Sequence, residues 1–186
     1  MSQDCKKKTD AELVVLSLQE KEYFLCIIQK YQPALSRYIR RISGGTHEDI
    51  EDLLQEIFIK VYIHLTSYDS KQSFSSWIYR IARNETISTF RKKKIRPKSV
   101  YLEPEELEHI AGTFDFIQMK EKEEFGKEIQ NILSLLDPKY RDVLVLKYLE
   151  EKEYQEIADI LHKPIGTVGT LINRAKKQFQ KKYKVI

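Results

Sequence analysis

Glycine and proline are scarce in this chain, 6 and 5 of 186 residues, so few of the tight turns that a sheet protein needs are available. Cysteine occurs twice, as Cys5 and Cys26, in no metal-ligand spacing and with no disulfide framework, which points to a reducing compartment. Cys26 stands among apolar residues and reads as a small core side chain, not a nucleophile. The four histidines, His47, His64, His109 and His162, are scattered. No His-Glu-x-x-His, glycine-rich phosphate loop or nucleophile motif accompanies them, so no enzyme, metal, cofactor or small-molecule substrate is expected. No apolar run approaches the ~20 residues of a membrane span. The opening Met1–Lys8 is polar and basic, unlike a secretory signal. The expected setting is the cytoplasm, without membrane insertion.

What is present is charge, unevenly placed. The formal net charge is only +4. Yet Tyr79–Val100 holds eight Lys or Arg against one acid, Glu85, and Ile160–Ile186 holds seven against none. The compensating acids gather at Glu48, Asp49, Glu51, Asp52 and Glu56 and again in Glu103–Glu128. Two separated basic surfaces suit a polyanion held at two places.

Periodicity makes the chain helical nearly throughout, so the fold class is all-α. Thr9 or Asp10 can cap a short helix to about Leu18. Phe24, Ile28, Tyr31, Leu35, Tyr38 and Ile42 then recur at helix spacing, with Pro33 expected to kink or divide that helix and Gly44-Gly45 to end it. Thr46 is an N-cap with Asp49 at the reciprocal position. The helix that follows carries an apolar stripe of Ile50, Leu53, Leu54, Ile57, Phe58, Val61, Tyr62 and Leu65. Tyr68–Ser75 reads as a polar loop, after which Ser75 or Ser76 starts a helix to about Lys93. Helices resume near Gln118, broken at Asp137-Pro138, Glu150–Glu153 and His162-Lys163-Pro164. The expected organisation is an N-terminal extension, 1–20, two small helical domains, 21–95 and 118–186, and a linker at 96–117.

Two constellations carry function. Tyr154–Leu161, a three-residue turn and a helix with Pro164 at its first position form a helix-turn-helix. Its second helix keeps Val168, Ile172, Ala175 and Phe179 on one face. Outward it presents Thr167, Thr170, Asn173, Arg174, Lys176 and Lys177, short donors first and cations after, as a recognition helix requires. The second constellation is Phe74–Lys94. Trp77, Ile78, Ile81 and Ala82 form its buried stripe, while Arg80, Arg83, Asn84, Arg91 and Lys92 project elsewhere beside a polar loop. Aromatics, an amide and cations so placed bind unpaired bases and their phosphates. Asn84 reads equally as a surface amide.

Glu51-Asp-Leu-Leu-Gln-Glu-Ile-Phe-Ile-Lys-Val-Tyr, followed by Phe74-Ser-Ser-Trp-Ile-Tyr-Arg-Ile-Ala-Arg-Asn, resembles sigma region two of the extracytoplasmic-function sigma factors. Leu136-Asp-Pro-Lys-Tyr-Arg-Asp-Val-Leu, Tyr154-Gln-Glu-Ile-Ala and Pro164-Ile-Gly-Thr-Val resemble their region four. The resemblance implies that Asp49, Asp52, Gln55 and Glu56 dock on the clamp helices of core RNA polymerase. It implies that the loop with Ser70, Lys71 and Phe74, together with Asn84, holds a flipped base of the promoter minus-ten element. Arg80, Arg83, Arg91, Lys92 and Lys93 would lie along that strand. Thr167, Thr170, Leu171, Asn173, Arg174, Lys176 and Lys177 would face the minus-thirty-five element, and an anti-sigma factor would be a further partner. The chain departs from the pattern where Gly169, Thr170 and Leu171 replace Lys, Ser and Arg, and where His162 replaces a turn glycine. Leu171 then either touches a thymine methyl or joins the core beside Val168 and Ile172. Two other classes compete: a helix-turn-helix regulator of duplex DNA, which leaves Glu48–Lys93 without a task, and a protein-binding helical adaptor.

Overall fold

The computed structural model describes residue 5, residues 7–92 and residues 122–183, the side chains of 122–128 excepted. The linker expected at 96–117, and Lys93, lie outside the described residues. Helix α1 is Asp10–Gln19, α2 Phe24–Ser43, α3 His47–His64 and α4 Phe74–Lys92. Single 3-10 turns at Lys21–Tyr23 and Leu65–Ser67 join α1 to α2 and follow α3. The second half holds α5, Lys122–Leu135, α6, Pro138–Tyr148, α7, Tyr154–Leu161, and α8, Ile165–Tyr183. There is no strand among the described residues.

Local chemistry sets these limits. Thr9 with Glu12, and Thr46 with Asp49, form reciprocal capping boxes that satisfy the orphan N–H groups at the starts of α1 and α3. Asp137 caps α6 by accepting from the Lys139 N–H at 3.0 Å, with Pro138 where no N–H is needed. Gly44 ends α2 in the left-handed region, φ 64°, and donates to the Arg40 carbonyl. Gly45 must stay bare, since an added Cβ would lie 2.6 Å from Cζ of Phe90.

Several expectations are corrected. Pro33 does not divide α2, which runs unbroken from Phe24 to Ser43. One missing N–H is outweighed because Ile27, Tyr31, Leu35, Tyr38 and Ile39, on both sides of it, are buried. Helix α4 begins at Phe74, earlier than Ser75, because Ser73 is its cap: the Ser76 N–H donates to its Oγ and the Trp77 N–H to its carbonyl. Pro164 caps α8 through its carbonyl, one position before the first helical residue. Tyr62 was placed on the core stripe of α3 but stands exposed.

The largest correction concerns cysteine. Cys5 and Cys26 form a disulfide, with Cα atoms 5.5 Å apart and both side chains buried. A lone pair of cysteines 21 residues apart carries no framework pattern, and only the return of the N-terminal segment onto α2 brings them together. Cys26 is a core side chain as read, but it is bonded, so the cysteines do not point to the reducing compartment expected from them. Leu13, Val14 and Ser17 of α1 are buried, and α1 packs on α2.

The buried apolar side chains form one continuous cluster, to which α1–α4 contribute one part and α5–α8 the other. The two halves pack directly on each other, α4 against α7 and α2 against α6. Arg141 of α6 reinforces the junction. Its Nε donates to the Leu133 carbonyl, one Nη to Ser134 and Leu136, and the other to Ile42 of α2 at 3.0 Å.

Candidate nucleic-acid interface

Tyr31, Tyr68, Phe74 and Trp77 form one aromatic cluster at the foot of α4, with ring centroids 5.2–5.6 Å apart. Such edge and tilted contacts favour a fixed packing over a fluid one. Trp77 is thus core, as its apolar neighbours indicated. Phe74, expected at DNA, is buried in the same cluster. The cluster shapes the loop before it. The Tyr68 hydroxyl donates to the Gln72 carbonyl at 2.6 Å, and the Lys71 N–H to Oδ1 of Asp69 at 2.9 Å. Burial raises the Tyr68 hydroxyl above its ordinary range, and nearby Asp10 and Asp69 add to the shift. Ser70 and Lys71 remain exposed at the loop tip.

Beyond that loop, Arg80, Asn84 and Arg91 recur four and seven residues apart and so share one face of α4. Asn84, Arg91 and Lys92 are exposed. Glu85, the single acid of this stretch, is paired with Lys60 of α3. That pairing leaves the row of cations without an acid opposing it from its own helix.

Arg80 and Arg83 are placed differently from the expectation. The Arg83 guanidinium pairs with Asp142 of α6 and is largely buried, and Arg80 reaches the Asp159 carbonyl near the end of α7 at 3.5 Å. Burial works against the charge on Arg83, but Asp142 outweighs it and holds the guanidinium above its usual range. Of the eight residues expected at the minus-ten strand, five stand open, one is core and two are engaged by the second domain.

The second domain displays its helix-turn-helix as read. His162 turns the chain in the left-handed region, φ 51°, and its N–H donates to the Ala158 carbonyl. On α8, Val168, Ile172, Ala175 and Phe179 are buried, while Thr167, Thr170, Asn173, Arg174 and Lys177 are exposed. The Thr170 hydroxyl donates to the Gly166 carbonyl, leaving its oxygen lone pairs outward. Lys176 is half-buried with its ammonium 5.1 Å from the Tyr148 ring centre. Leu171 is half-buried and packs against the core beside the buried stripe of α8.

On α3, Asp52, Gln55 and Glu56 face solvent. Asp49 is half-buried and occupied as a cap, accepting from the Thr46 N–H and hydroxyl. Beside this polar row lies a groove of about 640 Å³ between α2 and α3, floored by Phe24, Ile28, Leu54 and Phe58 and edged by Ile59 and Tyr62. Ile59 at that edge is about 60% exposed, as are Ile63, one turn further along α3, and Leu25 on α2. The sequence reading missed this surface. Its signal was present: Ile59 and Ile63, four apart, lie off the core stripe of α3. No grouping of three potential metal ligands occurs among the described residues, and none of their helices is long and apolar enough to cross a membrane.

An all-helical, two-domain architecture with a basic amide-bearing helix in one half and a helix-turn-helix in the other defines a DNA-reading protein that contacts its target twice. Family comparison makes that class specific. Sigma-70 region 2 matches residues 27–95 and sigma-70 region 4 matches residues 126–179. The chain is 35% identical over 175 residues to the ECF RNA polymerase sigma factor SigW of Bacillus subtilis, covering 87% of this chain and 89% of that one. It is 30% identical over 182 residues to the ECF RNA polymerase sigma-E factor of Escherichia coli K12, covering 94% of each. The chain belongs to the extracytoplasmic-function sigma factors of the sigma-70 family. Among solved structures, CnrH in complex with the cytosolic domain of CnrY shares the fold, with a TM-score of 0.67 at 20% identity over 92% of this chain and 95% of that one. So does RpoE of Bartonella quintana in complex with the anti-sigma factor NepR, with a TM-score of 0.61 at 22% identity over 87% and 97%.

Proposed function

We propose that this sigma factor binds core polymerase through Asp52, Gln55 and Glu56 together with the apolar groove beside them. In this reading Asp49 acts indirectly, by holding the start of α3. The loop carrying Ser70 and Lys71, with Asn84, takes an unpaired base of the minus-ten element, while Arg91 and Lys92 follow the strand. Helix α8 enters the major groove of the minus-thirty-five element with Thr167, Thr170, Asn173 and Arg174 at base edges and Lys177 at phosphate. Leu171 contributes to α8's packing and not to its reading face. The setting is the cytoplasm, where polymerase and promoter are, and an anti-sigma factor holds the protein inactive until it is needed.

The observation that carries this reading is the pairing of two outward basic helical faces, on α4 and α8, with a third face on α3 that is acidic and apolar. DNA accounts for the first two and a protein partner for the third. Reconstitution with core polymerase tests it. Initiation from defined start sites on genomic DNA is the expected result. A complex that forms without directed initiation would overturn it.

A further inference from the structure

Helix α1 carries a contact that its capping does not require. The reciprocal pair of Thr9 and Glu12 already satisfies the start of the helix, yet Asp10 beside it is half-buried and turned to α2. Its Oδ2 accepts from the Tyr31 hydroxyl at 2.7 Å, and its Oδ1 lies 2.7 Å from the Lys30 ammonium. Tyr31 is buried. Burial first, and then the hydrogen bond to Asp10, push its hydroxyl far above the ordinary range, so it stays a neutral donor. The Tyr31 ring meets Phe74 edge-on at 5.6 Å, and Phe74 meets Tyr68 at 5.2 Å. The Tyr68 hydroxyl in turn holds the Gln72 carbonyl. A continuous line of contacts thus runs from the start of α1 to the loop that carries Ser70 and Lys71. Helix α1 also packs on the Leu65–Ser67 turn and on α4, the elements that flank this loop. None of α1 lies within residues 27–95, which match sigma-70 region 2.

We propose that Asp10 is a positioning residue for the minus-ten loop, acting through Tyr31 on the aromatic cluster that gives the loop its shape. The inference rests on the minus-ten reading of the loop and Asn84 given above. Ring contacts alone leave several tilted and edge-on arrangements close in energy. A hydrogen bond to a carboxylate is stronger and more directional, so the one from Tyr31 to Asp10 selects among them. Choosing one base over another requires donors and acceptors held to within about 0.5 Å. Attraction to phosphates tolerates more displacement and carries no sequence information. A loop released from Asp10 therefore loses discrimination before it loses affinity. The Cys5–Cys26 bond closes the chain around α1, and Leu13 and Val14 are buried, so the helix stays in place when Asp10 is changed.

The test uses holoenzyme reconstituted from core polymerase and the full chain, with a pool of short single-stranded DNA of randomised sequence. Sequencing bound and unbound strands gives the base preference at each position, and fluorescence anisotropy on the labelled pool gives overall affinity. Tyr31→Phe deletes one hydroxyl and keeps the ring contacts, while Asp10→Ala deletes the acceptor. Either should flatten the preference at one position about fivefold, the lower end of what one well-held base contact supplies, with pool affinity unchanged. Asp10→Asn retains an oxygen for the Tyr31 hydroxyl and should restore the wild-type profile. A lowered Tm with an unchanged profile in both variants makes Asp10 a purely structural residue and overturns the proposal. If Asp10→Ala does not fold, Tyr31→Phe alone decides. Asn84→Ala is carried alongside. A profile that it flattens and Tyr31→Phe does not overturns the positioning role alone. A wild-type holoenzyme without base preference overturns the minus-ten reading and the proposal with it.

Discussion

Gly169 lies inside α8, and nothing in the fold requires it to be bare. Its φ is not in the left-handed region, and a Cβ built there would meet only Cε1 of Tyr154, at 3.7 Å, an ordinary contact. Gly169→Ala should therefore stabilise. Glycine in a helix interior costs about 1 kcal/mol against alanine, and partial burial of the new methyl against Tyr154 adds a few tenths of the ~0.8 kcal/mol for a fully buried group. A gain of about 1–1.4 kcal/mol corresponds to a Tm rise of roughly 4–11 °C if the second domain melts as its own unit, or roughly 2–6 °C if the chain melts as one. Thermal melts by circular dichroism and calorimetry read this directly, and urea titration should show a higher midpoint at an unchanged slope. Gly45→Ala is the internal contrast, since its Cβ would stand 2.6 Å from the Phe90 ring, and it should lower Tm. A Gly169→Ala protein no more stable than wild type would refute the reasoning, because it would mean that α8 bends or is held off ideal geometry at this residue.

Charge reversal at Asp52 and Glu56, both exposed, should weaken binding to core polymerase while leaving the helical signal intact; unaltered affinity by biolayer interferometry would remove them from the docking face. Asn84→Ala should change base preference on the unpaired strand, at a cost of about 1–3 kcal/mol for the base it holds, whereas Arg91→Ala should weaken all sequences alike and lower the salt slope by about one ion; a uniform loss for Asn84→Ala makes it a surface amide. Reduction of the Cys5–Cys26 bond, which closes a loop of 21 residues, should lower stability by about 3 kcal/mol, visible as an earlier urea transition in dithiothreitol; coincident curves would show that the segment before α1 is held without it.

The parts of the fold legible from sequence are those decided within one turn of helix. Thr46 with Asp49, Asp137 with Pro138 and Gly44 act on their immediate neighbours, and each acts as its chemistry dictates. The corrections lie where distant segments meet. Pro33 is overruled by core contacts on either side, and Cys5 finds Cys26 only after the chain folds back. Site residues divide in the same way. Thr167, Asn173, Arg174 and Lys177 face outward because α8 has one buried stripe and they lie off it. Arg80 and Arg83 looked equally free on α4, but their partners, Asp159 and Asp142, belong to a domain that one-dimensional spacing cannot bring near. Tyr38 and Tyr79 show what such an encounter does: burial first, and then the adjoining carboxylates, push both hydroxyls far above their ordinary range, so both stay neutral donors.

The contacts between α2, α4 and α6 join two halves of one chain, and that fact governs their stoichiometry. Residues 93–121 connect the halves and span at most about 100 Å when fully stretched, so neither half escapes the other by diffusion. The packing of one half on the other is a first-order event. Its extent is the same for a single molecule as for thousands, and it is unaltered when cell growth dilutes the protein. An inhibitor on a separate chain behaves otherwise, since its occupancy rises and falls with its own concentration by mass action. Contacts built into one chain are therefore made to an extent that does not depend on copy number.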